Sequence, residues 1–190
     1  MKSDVFNTEI NYIKDKRLRD NLVIILNMLP DYFYEVPASS TGKYHPSFSL
    51  GEGGLVRHSK VATRIGYTLL NNDSVQNFNS HEKDLLLISI LIHDGLKCGN
   101  PKEEYTRFDH PILISNFIKD NMDKLTLEDE EIEFVCSCVE THMGQWTTDY
   151  KGNEVLKKPV SKYQRFVHMC DYLSAQKFLD VKFDGNEIVS

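Results

Sequence analysis

Among the seven histidines of this 190-residue chain, one is directly followed by an aspartate, forming the pair His93-Asp94. The pair closes the most apolar stretch of the sequence, which begins at Glu82, and it stands just before Gly95. Two polar side chains at the end of a buried helix need partners, because a buried charge without a counter-charge or a metal ion is costly. The pair is therefore the first candidate for a chemical site.

Four further side chains stand at predicted helix edges or on helix faces with apolar neighbours, the pattern of inward-facing metal ligands in helical bundles. They are His58, His110, His142 and Asp171. Imidazole and carboxylate groups suit manganese, iron, cobalt, nickel or zinc, and the lack of thiolates argues against a closed structural zinc site. The alternative is a satisfied polar cluster in the core, in which His110 and His142 simply cap or end a helix.

Five segments of the sequence carry a family resemblance; in chain order they are Gly-Gly-Leu-Val-Arg-His58, Leu-Ile-His93-Asp94-Gly-Leu-Lys97, Phe-Asp-His110-Pro, Glu-Thr-His142-Met-Gly and His168-Met-Cys-Asp171-Tyr-Leu-Ser-Ala. The order of histidines and aspartates resembles that of the HD-domain metal-dependent phosphohydrolase superfamily. The segments around His110 and His142 resemble the additional histidines of its binuclear members. Within the superfamily, the YhaM-like 3′-to-5′ exoribonucleases are the most similar group, over residues 35–177.

The resemblance implies two divalent metal ions. It places one on His58, His93, Asp94 and Asp171, and a second on His110 and His142 with Asp94 bridging. A hydroxide held between two cations is available at neutral pH and attacks phosphorus in line, while the cations neutralise charge on the phosphoryl oxygens. Lys97 lies about one helical turn past Asp94, and we expect it to contact a substrate phosphate as a point charge.

Other side chains near the ligands are candidates for binding substrate. Lys43 and His45 belong to a glycine-containing loop before the first ligand helix, although residues that merely turn the chain would look similar. Trp146 could stack on a base or be buried against the core. His168 stands three residues before Asp171, where it would orient that carboxylate or serve as a core histidine. His81 is expected on the solvated surface.

The elements that must position these side chains are helices, and the predicted fold is an all-α HD-domain bundle. Apolar residues recur at helical spacing over residues 5–29. Asn79 and Glu82 have the spacing of a capping box. The predicted helices are 55–70, 82–93, 111–121, 126–141 with Thr126 as its cap, and 161–178; a long loop covers 31–54 and a small hairpin is expected around Asp184-Gly185. We expect one HD domain over 1–190, with N-terminal helices at 1–30, the core at 35–177 and a tail at 179–190.

Composition limits the class of partner. The net charge is −6 with neutral histidines and the isoelectric point is about 5.6, which argues against a binder of long duplex nucleic acid. No apolar run approaches the roughly 20 residues of a membrane span, and the N-terminus has no apolar signal segment. We therefore expect a soluble cytoplasmic protein with no membrane partner. Its four cysteines show no metal-binding spacing and are expected to be free and buried.

These observations predict a metal-dependent phosphohydrolase, specifically a phosphodiesterase acting on a nucleotide or a short nucleic-acid end. Two alternatives remain at this stage. A di-iron oxygenase would use a similar set of histidines and aspartates, and a non-catalytic nucleotide-binding HD domain would keep the fold without turnover. The sequence determines neither the substrate, nor the metal, nor the oligomeric state.

Overall fold

The computed structural model describes residues 1–43, 45–75, 77–179 and 181–189. The chain begins with a 3-10 turn at Lys2–Phe6 that continues into α1, Asn7–Ile10, and after a break enters α2, Lys16–Met28. Asp15 caps α2 by accepting the backbone N–H groups of Arg17 and Leu18. The predicted apolar repeat over 5–29 is confirmed as helical, with the break at the residues that provide this cap.

The remaining helices supply the frame of the molecule. They are α3 at Gly54–Leu70, α4 at Ser80–Ile92, α5 at His110–Asp120, α6 at Asp129–Glu140 and α7 at Lys162–Ser174. A two-stranded antiparallel hairpin of β1, Lys182–Asp184, and β2, Glu187–Val189, follows them. The all-α prediction and the C-terminal hairpin are confirmed. Three more 3-10 turns lie in the connections, at Asp31–Tyr34, Ser47–Ser49 and Met122–Lys124.

Helix α4 lies at the centre of the core, as its uninterrupted apolar sequence predicts. It packs against α2, α3, α6 and α7, and every residue from Asp84 to Ile92 is buried. The predicted capping box is present, because Asn79 accepts the N–H of Glu82 and the Glu82 carboxylate accepts the N–H of Asn79. Since α4 is enclosed on all sides, whatever follows its last turn is delivered to the middle of the molecule.

Two predicted helix boundaries are wrong. Thr126 does not cap α6, because its hydroxyl accepts a hydrogen bond from the side chain of Asn21. The helix begins after Glu128, and the backbone N–H of Glu128 donates to the carboxylate of Glu131. Helix α7 ends at Ser174 rather than near Phe178. There the chain tightens into a 3-10-type closure in which the N–H of Gln176 bonds to the carbonyl of Leu173.

The long loop before α3 is held against that helix. Arg57 donates to the backbone carbonyls of Phe48, Leu50 and Glu52. A Cβ at Gly54 would lie 2.2 Å from the carbonyl oxygen of Ser49, so only glycine permits this close approach. The loop is thereby fixed to the first turns of α3. All four cysteines are free and buried, as predicted. Among the described residues, no helix is both long and apolar enough to cross a bilayer.

An ion pair ties α2 to α6. The guanidinium of Arg17 forms two parallel hydrogen bonds with the carboxylate of Glu131, whose side chain is only 4% exposed. These hydrogen bonds outweigh the effect of burial and lower the pKa of Glu131 below its ordinary value of 4.5. His81 lies on the surface, as expected, with its side chain about half exposed and its ring nitrogen Nε2 3.2 Å from the same carboxylate.

We therefore expect Glu131→Gln to cost about 1–2 kcal/mol of unfolding free energy at neutral pH, because it removes charge-assisted hydrogen bonds to a partly exposed arginine. The folded-state pKa is lower than the unfolded one, so this stabilisation is complete above pH 4.5 and is lost as pH falls below it. Urea unfolding of both proteins between pH 7 and 3 measures it. A stability difference that grows as the pH is lowered would contradict the assignment.

Candidate metal centre

The six predicted ligands converge on one point in the core. His93 is the C-terminal cap residue of α4 and Asp94 follows it. The other four come from four different helices: His58 from the second turn of α3, His110 from the start of α5, His142 from just beyond α6, and Asp171 from the last turn of α7. The end of the central helix thus provides the pair around which the others assemble.

Four of these side chains form one half of the cluster. The Nε2 atom of His58 lies 3.1 Å from Oδ1 of Asp171, 3.3 Å from Nε2 of His93 and 3.6 Å from Oδ2 of Asp94. The Nε2 atom of His93 lies 3.4 Å from both carboxylates. Two imidazoles and two carboxylates therefore present their ligand atoms to the same small volume.

The second half shares Asp94 with the first. Its other carboxylate oxygen, Oδ1, lies 3.0 Å from Nε2 of His110 and 3.6 Å from Nε2 of His142. The two histidine nitrogens are 3.1 Å apart. Asp94 thus directs Oδ2 to one pair of histidines and Oδ1 to the other, which is the arrangement of a bridging carboxylate.

Hydrogen bonds on the outer side of each ring fix which nitrogen faces the cluster. Three of the rings donate their Nδ1–H to a backbone carbonyl. These bonds join His93 to Ile90 at 2.6 Å, His110 to Arg107 at 2.6 Å and His142 to Val139 at 2.7 Å. The hydroxyl of Ser174 donates its hydrogen to the carbonyl of Asp171. The same hydroxyl oxygen therefore accepts a hydrogen bond from Nδ1 of His58, at 3.2 Å. Each Nε2 therefore faces the cluster, the ring orientation that metal-binding histidines use.

The charges of the cluster favour a bound cation. Burial would raise the pKa of Asp94, but Lys97 and His93 hold it well below its ordinary value, and His93 and His58 do the same for Asp171. Burial would lower the pKa of His93, yet the two carboxylates raise it to about 10. Both carboxylates are therefore ionised at neutral pH and attract positive charge strongly to the point between them.

The donor set fits a divalent metal. Asp94 Oδ1 is buried and has no hydrogen-bond partner in the described part of the chain, as expected of an atom that awaits a cation rather than a proton. The potential ligand atoms form three groups, each within 4.8 Å: His58, His93 and Asp94; His93, His142 and Asp171; and Asp94, His110 and His142. Nitrogen and carboxylate donors without thiolates suit first-row divalent ions.

Metal binding should accordingly stabilise the fold. We expect Mn²⁺ or Zn²⁺ to raise the melting temperature of metal-free protein, since about 2.7 kcal/mol is gained when the ion is present at a hundred times its dissociation constant. Thermal scans with and without a chelator measure this. His110→Ala should reduce the shift, whereas the matched surface variant His81→Ala should retain it. An identical melting temperature with and without metal would contradict the fit.

The predicted substrate-binding residues are placed unequally. Lys97 is almost fully buried, and its Nζ lies 2.5 Å from Oδ2 of Asp94. The lysine ammonium group is therefore in direct contact with one of the predicted ligands. The ring of His45 lies 5.0 Å from that of His58, with its Nδ1 buried and without a hydrogen-bond partner among the described residues. Lys43 is exposed on the same loop. Trp146 is not buried against the core but 46% exposed.

His168 has a different neighbour from the one predicted. Its Nδ1 donates to the carbonyl of His142 at 2.7 Å, and its ring fills the space beside Gly144, where a Cβ would lie 2.1 Å from it. It therefore supports the segment that carries His142 rather than orienting Asp171. Sequence reasoning also missed Ser174 as the partner of His58, although its spacing of three residues from Asp171 places both on one face of α7.

Comparison with known proteins agrees with the geometry. The family model for the HD domain matches residues 55–176, more than half of the chain, and this range contains all six predicted ligands. No curated protein and no solved structure gives a significant match. HD domains are generally metal-dependent hydrolases that bind divalent ions through histidines and aspartates. With its histidine–aspartate centre and the matching family model, the chain belongs to the HD-domain family.

Proposed function

We propose that this protein is a metal-dependent phosphodiesterase that acts on a nucleotide or a short nucleic-acid end. The observation that carries the proposal is the position of Asp94, whose two oxygens face two separate pairs of histidines. Such sharing suits two neighbouring ions, one held by His58, His93, Asp94 and Asp171 and the other by Asp94, His110 and His142. When bound, divalent ions at such a centre supply Lewis-acid charge to a phosphoryl group and lower the pKa of water.

The chain itself supplies two groups that would hold the substrate. The ammonium group of Lys97 has three N–H donors, of which one is bonded to Asp94. The other two can donate to a phosphate oxygen of the substrate. The Nδ1 of His45, which has no hydrogen-bond partner within the described part of the chain, belongs to the loop that leads to the first ligand helix. Burial lowers the pKa of His45 to about 3, so its ring is neutral at physiological pH and offers a hydrogen bond rather than a charge.

The shape of the centre favours small substrates. Five ligand side chains are at most 2% exposed, and Asp171, at 19%, is the ligand that opens to solvent. Ligands that are buried to this extent suit a nucleotide or a single-stranded end better than a duplex, in keeping with the acidic composition. The similarity to YhaM-like exoribonucleases supports the end of a nucleic-acid strand as the substrate. We place this activity in the cytoplasm, with no membrane partner.

Hydrolysis of bis(p-nitrophenyl) phosphate by the full chain tests the proposal. We expect release of p-nitrophenol with Mn²⁺, loss of activity with a chelator, and turnover in the absence of oxygen. A panel of nucleotides and short single-stranded RNAs then identifies the substrate. Metal-loaded protein that hydrolyses none of these would contradict the proposal. If iron-loaded protein instead consumed oxygen, the centre would be that of a di-iron oxygenase, and tight nucleotide binding without turnover would indicate a binding domain.

A further inference from the structure

Three aromatic rings form a surface cluster beside the metal centre, which we call the aromatic platform: Trp146, His168 and Tyr172. The rings of Trp146 and Tyr172 are nearly parallel, with an interplanar angle of 27° and centroids 6.0 Å apart. The His168 ring lies 6.2 Å from Trp146 and 6.0 Å from Tyr172. The platform is therefore a defined group of rings rather than isolated surface side chains.

The platform is rigidly connected to the ligands. Tyr172 directly follows Asp171 in α7. Trp146 lies four residues beyond His142, and its backbone N–H donates to the carbonyl of Met143. His168 bonds to the carbonyl of His142 itself. A molecule that rests on these rings would consequently be held at a fixed distance from the metal ligands.

The platform also lies where the centre is open. Asp171 is the ligand with appreciable exposure, and its neighbour Tyr172 is 44% exposed. Trp146 is 46% exposed, although large aromatic side chains normally bury most of their surface. The exposed ligand and the exposed ring of Tyr172 are thus carried by adjacent residues of α7.

We propose that the aromatic platform stacks the nucleobase of the substrate while the phosphate lies at the metal centre, with purines held more tightly than pyrimidines. The inference rests on the proposed function and specifies its substrate class. Stacking on an aromatic side chain tolerates any base because every base has a π-face. The larger face of a purine covers more ring surface, which is the reason for the expected preference.

Fluorescence of the full chain tests base binding without any need for turnover. Trp146 is the only tryptophan in the sequence, so all tryptophan emission comes from the platform. We expect AMP to change this emission saturably, CMP to do so at higher concentration, and ribose 5-phosphate, which has no base, to leave it unchanged. The titrations are made on metal-free protein and repeated with Zn²⁺.

Variants separate the platform from other surface rings. Tyr172→Ala should weaken AMP binding about tenfold or more, the loss that removal of one stacking ring produces. Tyr150→Ala is the matched control, because Tyr150 is 90% exposed on the loop that follows Trp146 and is not part of the platform. Isothermal titration calorimetry repeats the comparison with Trp146→Ala, in which the fluorescent probe is absent.

Each outcome decides the inference separately from the proposed function. An unchanged emission with AMP, an equal response to ribose 5-phosphate, or equal losses in Tyr172→Ala and Tyr150→Ala would overturn the platform as a base site. Those results would stand even if bis(p-nitrophenyl) phosphate were hydrolysed. Conversely, base-dependent emission changes in a protein without hydrolytic activity would support the platform and overturn the phosphodiesterase proposal.

Discussion

Asp94→Ala is expected to abolish metal-dependent hydrolysis and to lower the affinity for divalent ions by at least about a hundredfold. Loss of a group that merely orients a ligand costs 10- to 100-fold in metal affinity, and Asp94 contributes an oxygen to both halves of the cluster. Its removal leaves His58, His93, His110 and His142 without the carboxylate they share. Metal content of the purified protein and turnover of bis(p-nitrophenyl) phosphate measure the two effects.

The matched control is Asp123→Ala, which removes an exposed aspartate remote in sequence from all six ligands. We expect that variant to bind metal and to hydrolyse the substrate like the unmodified protein. Asp94→Asn is informative as well, since it keeps the shape of the side chain and removes its charge. Full activity in either Asp94 variant would refute the role of this residue.

Lys60→Met is expected to destabilise the fold by about 3–5 kcal/mol, the usual cost of removing one partner from a buried ion pair. The Lys60 side chain is completely buried in α3, with its Nζ 3.2 Å from the carboxylate of Glu9 and 2.9 Å from that of Glu187. Glu9 is itself buried, and burial raises its pKa while Lys60 opposes the increase. Urea unfolding at neutral pH measures the loss.

Two further variants show whether buried charge is the cause. Glu187 is 56% exposed, so Glu187→Gln should cost less than about 1 kcal/mol. The double variant Lys60→Met with Glu9→Leu should recover most of the stability, because replacing both members of a buried pair by apolar groups is often neutral or favourable. Equal losses in Lys60→Met and Glu187→Gln would contradict this explanation.

The position of Lys60 links stability to the metal centre. It lies two residues after His58 in α3, and its partners come from α1 and from the C-terminal hairpin. Both ends of the chain are thus fastened to the helix that carries the first ligand. A destabilised Lys60 variant should nevertheless bind metal while it remains folded, since none of these contacts reaches a ligand atom.

Local sequence determined most of the helices and pointed to the side chains of the candidate metal centre. Periodicity shows which residues share a face, and a capping box such as that of Asn79 and Glu82 joins residues only three positions apart. The resemblance carried by the order of histidines and aspartates named all six side chains that the structure brings together. The two wrong boundaries, at Thr126 and beyond Ser174, lie where contacts with distant residues or a tightened last turn replace the local cap.

The tertiary structure alone decided which groups meet across the chain. Thr126 pairs with Asn21, 105 residues away, and Lys60 with Glu9, 51 residues away, and neither spacing leaves a periodic signal. It also decided that His168 supports His142 and that Trp146 remains exposed. The physical reason is that a side chain's role depends on its surroundings after packing. Sequence determines the surface that each helix presents, but the packing of the helices determines which polar groups lose water together and must satisfy one another.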